Sequence, residues 1–218
     1  MLETNSTRVV SVNAGEVREL RFEDETHESG IVKRPLAGAV KITVDGIDGD
    51  GIADPRYHGG PDQAVYAYSL GDYDWWHAET GREFTAGLFG ENLTIAGLPT
   101  HLSIGDRLLI GTVVLEATGP RIPCAKLAAV MEDKRFPFLF RQAERPGCYF
   151  RVLSPGAVSA GDVVEFLPAD GPLLSTLDIL HLYHDKSSSA ARLEQALETP
   201  LASRLREKFA KRLEKLKG

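Results

Sequence analysis

Between residues 8 and 168 every β-prone run is cut short by glycine, proline or a glycine–aspartate pair, so the chain is limited to folds built from short strands. Residues 9–12 and 16–22 flank Asn13-Ala14-Gly15, which reads as a hairpin turn with glycine supplying a positive φ. The polar stretch 23–30 then reads as a loop. Residues 39–44 alternate apolar and polar side chains at period two and stop at Asp45-Gly46, as a half-buried strand does. Turn residues follow at high density, in Asp48-Gly49-Asp50-Gly51, Asp54-Pro55 and His58-Gly59-Gly60-Pro61-Asp62, before the short apolar strand 63–68. Residues 71–80 predict a helix with Asp72 near its positive end and Tyr73, Trp75 and Trp76 in the core. Further strands are expected at 107–110, 112–118, 148–153 and 163–166, after a loop that enters a strand at 89–95. Brief helices are expected at 125–131 and 134–143, the latter with Pro137 in its first turn. This pattern predicts a mainly β protein with short helices, of the α+β class. It favours an antiparallel sheet or barrel over a doubly wound α/β fold.

At Pro168-Ala169-Asp170-Gly171-Pro172 the pattern changes. Residues 177–183, 189–197 and 201–216 read as three helices, giving two units, 8–168 and a small three-helix appendage over 173–218. The last helix carries Arg204, Arg206, Lys208, Lys211, Arg212, Lys215 and Lys217 behind an apolar stripe of Leu201, Leu205, Phe209, Leu213 and Leu216. Such a basic face is either a solvated surface or a dock for an acidic protein. The formal net charge of −6 argues against general nucleic-acid binding. Two cysteines, no secretory signal core and no membrane-length apolar run predict a reduced, cytoplasmic protein away from the membrane.

The segment Gly119-Pro120-Arg121-Ile122-Pro123-Cys124-Ala125-Lys126 sets a thiol on a backbone stiffened by two prolines, between two cations. Cations beside a sulfur favour its ionised form, which attacks electrophiles and binds metal; the plain alternative is a small buried residue at a strand end. In the cluster Asp54, His58, Gly59, Gly60 and Asp62, a proton carrier adjoins backbone able to approach an anion, although the Lys and Ser/Thr of a P-loop are missing. Asn92, in Gly90-Glu91-Asn92, is a further polar-ligand candidate, and otherwise a turn residue bonded to its own backbone. His181 and His184 share a helical face without the partners of a zinc site, and Cys148 reads as a buried strand residue. Cys124 with His58, oriented by Asp54 or Asp62, also matches the parts list of a cysteine hydrolase. A hydrolase requires no particular cationic lining, whereas Arg121 and Lys126 beside a soft thiolate suit a metal carried by an anionic cofactor.

Four motifs in order, His58-Gly59-Gly60-Pro61-Asp62, Phe89-Gly90-Glu91-Asn92-Leu93, Gly105-Asp106 and Pro120-Arg121-Ile122-Pro123-Cys124, resemble the MOSC family, named for the molybdenum cofactor sulfurase C-terminus. The tail resembles the three-helix extension of its YiiM-like branch. The resemblance implies a barrel-like fold and molybdenum cofactor (molybdopterin, Mo) ligated by Cys124. It also implies reduction of N-hydroxylated bases and amidoxime-like compounds. Arg121, Lys126, Gly59, Gly60, Asp62 and Asn92 are then candidates for holding the cofactor, and His58 for proton transfer. The chain lacks a dinucleotide fingerprint and the cysteines of an iron–sulfur site, so electrons are expected from a separate reductase or a ferredoxin- or flavodoxin-like donor. A sulfur carrier using a Cys124 persulfide and the Cys124/His58 hydrolase are the alternatives. Gly147-Cys148 departs from the aromatic expected after that glycine in YiiM-like chains. It reads as a core replacement, or as a second thiol able to pair with Cys124.

Overall fold

The computed structural model describes residues 7–56, 58–171 and 173–218. In chain order the strands of the first part are β1 (Arg8–Ala14), β2 (Arg18–Phe22), β3 (Glu25–Ser29), β4 (Arg34–Pro35), β5 (Val40–Thr43), β6 (Gly46–Ile47) and β7 (Val65–Ser69), with a 3-10 turn at Pro61–Gln63. Helix α1 (Leu70–Thr80) leads to β8 (Leu93–Ala96), β9 (Arg107–Ile110) and β10 (Val113–Gly119). Then come α2 (Ala125–Met131), α3 (Phe136–Gln142), β11 (Cys148–Ser154), β12 (Gly156–Val158) and β13 (Glu165–Leu167). The tail holds α4 (Thr176–His184), α5 (Ala190–Leu197) and α6 (Ser203–Lys217).

Eight strands form one curled sheet in the order β13-β9-β10-β11-β7-β8-β1-β4, antiparallel except for the parallel pair β7–β8. An Arg8–Val163 bridge, with Val9 N–H donating to the Asp162 carbonyl, brings the residues before β13 against β1 and curls the sheet into a half-barrel. The small sheet β12-β5-β6 packs against it. Between them lies an aliphatic core that includes Ile42, Val65, Leu93, Leu108, Val113, Leu115 and Phe150. Here β10 is buried on both faces, which is why its sequence reads as a continuous apolar run instead of alternating.

A second, aromatic core sits outside the sheet beneath α1, α2 and α3. Phe89 is its centre, with Tyr73 stacked at 5.0 Å and Tyr68, Phe136 and Phe140 around it. The third core belongs to the tail and takes in Ile104 from before β9. Ser175 opens α4 with a capping box, its hydroxyl accepting from Asp178 N–H while the Asp178 carboxylate accepts from Ser175 N–H. Arg206 and Arg212 of α6 donate to main-chain carbonyls at the ends of α5 and α4, where a cation complements the helix dipole.

The mixed β and short-helix class agrees with the sequence reading, and three local expectations are corrected. No hairpin joins β1 to β2: β2 pairs with β3, inside the stretch read as a loop, and Glu23 at φ 52° helps make the turn. Gly15 does not supply a positive φ; a Cβ there would lie 2.5 Å from the Val32 carbonyl oxygen, so the position is one of close approach. Between the strands expected at 148–153 and 163–166, where no strand was expected, residues 156–158 form β12 on β5. Asp72 stands in the first turn of α1, as expected. It is buried, accepting hydrogen bonds from Arg145 Nη1 at 2.5 Å and Thr100 at 2.9 Å, and burial raises its pKa despite them.

Candidate functional site

β10 ends at Gly119, and residues 120–124 carry the chain across the open end of the half-barrel to α2. Cys124 occupies the N-cap position of that helix in extended geometry (φ −134°, ψ 174°) without capping it through its side chain. Its half-buried sulfur faces a cleft to which distant segments contribute: Ile31 and Lys33, Asp50 and Ile52, His58 and Gly59, Gln63 and Tyr66, Gly90 and Asn92, then Arg121, Lys126 and Tyr149.

Arg121 is only 5 % exposed. Its guanidinium lies 5.4 Å over the Tyr66 ring and donates through Nη1 to the Phe89 carbonyl, while Nε is buried with no partner among the described residues. Burial opposes its charge, but Tyr149, Tyr66, Cys124 and Glu91 outweigh burial and hold its pKa above the ordinary value. A buried donor without an acceptor costs about 1–3 kcal/mol, so this atom is suited to an anionic ligand atom.

Lys33 was missed by the sequence reading. Its ammonium pairs with Asp50, which also accepts from Gly15 N–H at 3.0 Å and from the Asn92 amide at 2.9 Å. Burial lowers the Lys33 pKa and Asp50 opposes the shift. No motif marks Lys33, and nothing in the sequence joins residue 33 to residue 124. Asn92 is correspondingly a strut: its Oδ1 accepts from Tyr66 N–H at 3.0 Å, and its amide also donates to the Asn13 carbonyl. It therefore holds the cleft wall and Asp50 together.

The glycine-rich loop divides in two. His58 and Gly59 line the cleft, where a Cβ at Gly59 would lie 2.1 Å from Ile52 Cδ1. Asp62, a cofactor candidate by sequence, is turned the other way. Its carboxylate accepts from Arg151 Nε at 3.0 Å and from Ser203 N–H at 2.9 Å, and Gly60 faces Arg204 of α6. Ser203 thus ties this carboxylate to the start of α6, and Arg151 ties it to β11. Asp54 is likewise held by Arg56, at 3.0 Å from both Nε and Nη2. Neither carboxylate orients His58, and among the described residues no hydrogen bond joins His58 to Cys124. Among the described residues the orienting member of a hydrolase triad is therefore missing. Cys148 lies fully buried in β11, where burial pushes its thiol pKa well up; both cysteines are free, and Cys148 is a core residue. His181 bonds Glu144 at 2.8 Å, and no metal-ligand cluster forms among the described residues.

Burial first, then the Lys126, Arg121 and Arg204 charges, push the His58 pKa down from 6.5 to about 4. The neutral ring is therefore the native form at pH 7. Because the folded value is depressed, the unfolded chain binds the proton more tightly between pH 6.5 and 4, so stability falls as pH drops through that window. With the shift discounted for solvent screening of a half-exposed ring, wild type is expected to lose about 1 kcal/mol more unfolding free energy than His58→Gln between roughly pH 7.5 and 5, measured by urea titration. Equal losses in the two proteins would refute the charged surroundings assigned to His58.

The donor set fits an anionic cofactor carrying a soft metal: one thiol at a helix start, the cations Lys33, Arg121 and Lys126, and the unpartnered Arg121 Nε. The MOSC domain model matches residues 54–165 and the YiiM-like, 3-alpha helix domain model matches residues 175–216. The uncharacterized protein YflK of Bacillus subtilis is 35 % identical over 210 residues, 95 % of each chain. A protein of Gibberella moniliformis named as a reductase is 29 % identical over 198 residues, 88 % of this chain and 35 % of its own length. The crystal structure of YiiM from Geobacillus stearothermophilus superposes with a TM-score of 0.77 at 32 % identity, covering 95 % of this chain and 99 % of that one. With the half-barrel, the cysteine-bearing turn and the three-helix tail all accounted for, this chain belongs to the MOSC domain family, in its YiiM-like group.

Proposed function

We propose that this protein binds molybdenum cofactor through Cys124 and reduces N-hydroxylated compounds, such as N-hydroxylated bases and amidoximes, with electrons from a separate protein. The observation that carries this reading is a solvent-reachable cysteine facing a cleft that holds three cations and a buried guanidinium donor without a partner. When bound, the cofactor supplies the two-electron redox chemistry. Cys124 serves as the thiolate ligand, and Arg121, Lys33 and Lys126 neutralise the anionic pterin side. Asp50 and Asn92 keep Lys33 in place. His58, neutral at pH 7, offers a ring nitrogen beside the cleft as a hydrogen-bond partner or proton acceptor. The overall change balances as R–NHOH plus two electrons and two protons giving R–NH2 and water. The reductase name of the Gibberella relative supports this class of reaction, while the chain spans only 35 % of that protein.

Metal analysis of protein made in a cofactor-competent host, with anaerobic turnover of benzamidoxime under dithionite, tests the proposal. One molybdenum per chain with amine formation is the expected result. A cyanide-labile sulfur without molybdenum points instead to a persulfide carrier, and ester or amide cleavage without either points to a hydrolase.

A further inference from the structure

Along α6, Arg204, Lys208, Lys211 and Lys215 recur at the i, i+4, i+7, i+11 spacing that keeps side chains on one helix face. With Lys186 after α4 they rim a groove floored by Tyr183 and by Leu216, which is 54 % exposed. Arg212 in the same groove is pinned by the Leu182 and Asp185 carbonyls, and Lys208 lies 3.2 Å above the Tyr183 ring. Among the described residues no carboxylate pairs with Lys186, Lys208, Lys211 or Lys215. The face is therefore strongly positive on a chain whose formal net charge is −6. Glu207 is the one carboxylate among its described lining residues, and an exposed apolar patch with a mainly cationic rim has the anatomy of a protein interface.

The groove is also joined to the cleft. Arg204 lines it and donates to the Pro55 carbonyl and, at 2.9 Å, to Gln63 Oε1, and Gln63 lines the cleft that holds Cys124. Two cysteines, one of them buried, leave this chain without ligands for an iron–sulfur relay of its own. We infer that this groove docks an acidic electron-transfer protein of the flavodoxin class, its reduced flavin giving up the two electrons that N–O cleavage consumes. The inference rests on the reductive activity proposed above. A nucleic acid fits less well, because the floor of the groove is apolar.

Full-length cofactor-loaded protein and its K186E/K211E/K215E variant, three exposed side chains without partners, are titrated with a recombinant acidic flavodoxin at low and physiological salt. Benzamidoxime reduction is followed in parallel with reduced flavodoxin and with dithionite. Charge reversal is expected to weaken flavodoxin binding, and to raise its KM, by roughly tenfold or more at low salt, the difference shrinking at high salt. Dithionite-driven turnover is expected to stay at the wild-type rate. Equal flavodoxin binding by the two proteins, or none by wild type, overturns the inference, as does tighter binding of duplex DNA than of flavodoxin. Absence of dithionite turnover in wild type counts against the proposed activity instead, and the binding titration still decides the groove.

Discussion

Cys124→Ala is expected to abolish molybdenum binding while leaving the fold intact. The sulfur makes no hydrogen bond among the described residues and does not cap α2, so its loss removes a few atoms from a half-buried position. Unfolding free energy should change by no more than about 0.5 kcal/mol, the ordinary range for a substitution that breaks no network. Metal content should fall from one per chain to background, because no other described residue near the sulfur is a soft ligand. Cys124→Ser sharpens the separation. An N-cap in extended geometry favours serine, so this variant should be as stable as wild type or more stable, by up to about 1 kcal/mol. Molybdenum retained at full stoichiometry in the alanine variant would sink the ligand assignment, and a collapse in stability would show that the thiol is structural.

The second large effect lies at Asp62. Its carboxylate accepts from Ser203 N–H and Oγ, at 2.9 and 2.5 Å, and lies 2.8 Å from Arg151 Nη2. It thereby supplies the cap that Ala202 cannot give to the start of α6. Asp62→Ala removes that cap and leaves Arg151 with only the Glu116 carboxylate, the two losses together costing about 2–3 kcal/mol. For a chain of this size that lowers Tm by roughly 5–10 °C, measurable by calorimetry. Cofactor content per folded chain should not change. An unchanged Tm with weakened cofactor binding would return Asp62 to the site. Acid dependence follows the same contacts: burial opposes ionisation, but the Ser203 hydrogen bonds and Arg151 hold the Asp62 pKa below 3.8. A depressed folded value contributes stability that is present above 3.8 and lost as pH falls below it, so Asp62→Asn should flatten that acid limb.

These residues mark how far local patterns reach. The Arg107–Ile110 strand and the Ala125–Met131 helix were legible because period and turn residues are written within one segment. Pro120 through Cys124 announced a stiff corner for the same reason. The β2–β3 hairpin was not legible, because its alternating residues are exposed or partly buried and polar, and carry little apolar signal. Nor was the parallel β7–β8 contact, which depends on the aromatic core closing beneath α1.

By itself the sequence determined the class of fold, the helical tail and the cysteine on its corner, since each rests on short-range periodicity, proline geometry or a motif. Only the tertiary structure decided which charges meet that cysteine. Strand order brings Lys33, Asp50 and Arg121 into one cleft across nearly ninety residues of chain, while a pair of donors on Arg151 and Ser203 draws Asp62 out of it. Electrostatic partnership falls off with distance in space, and separation along the chain carries no record of that distance.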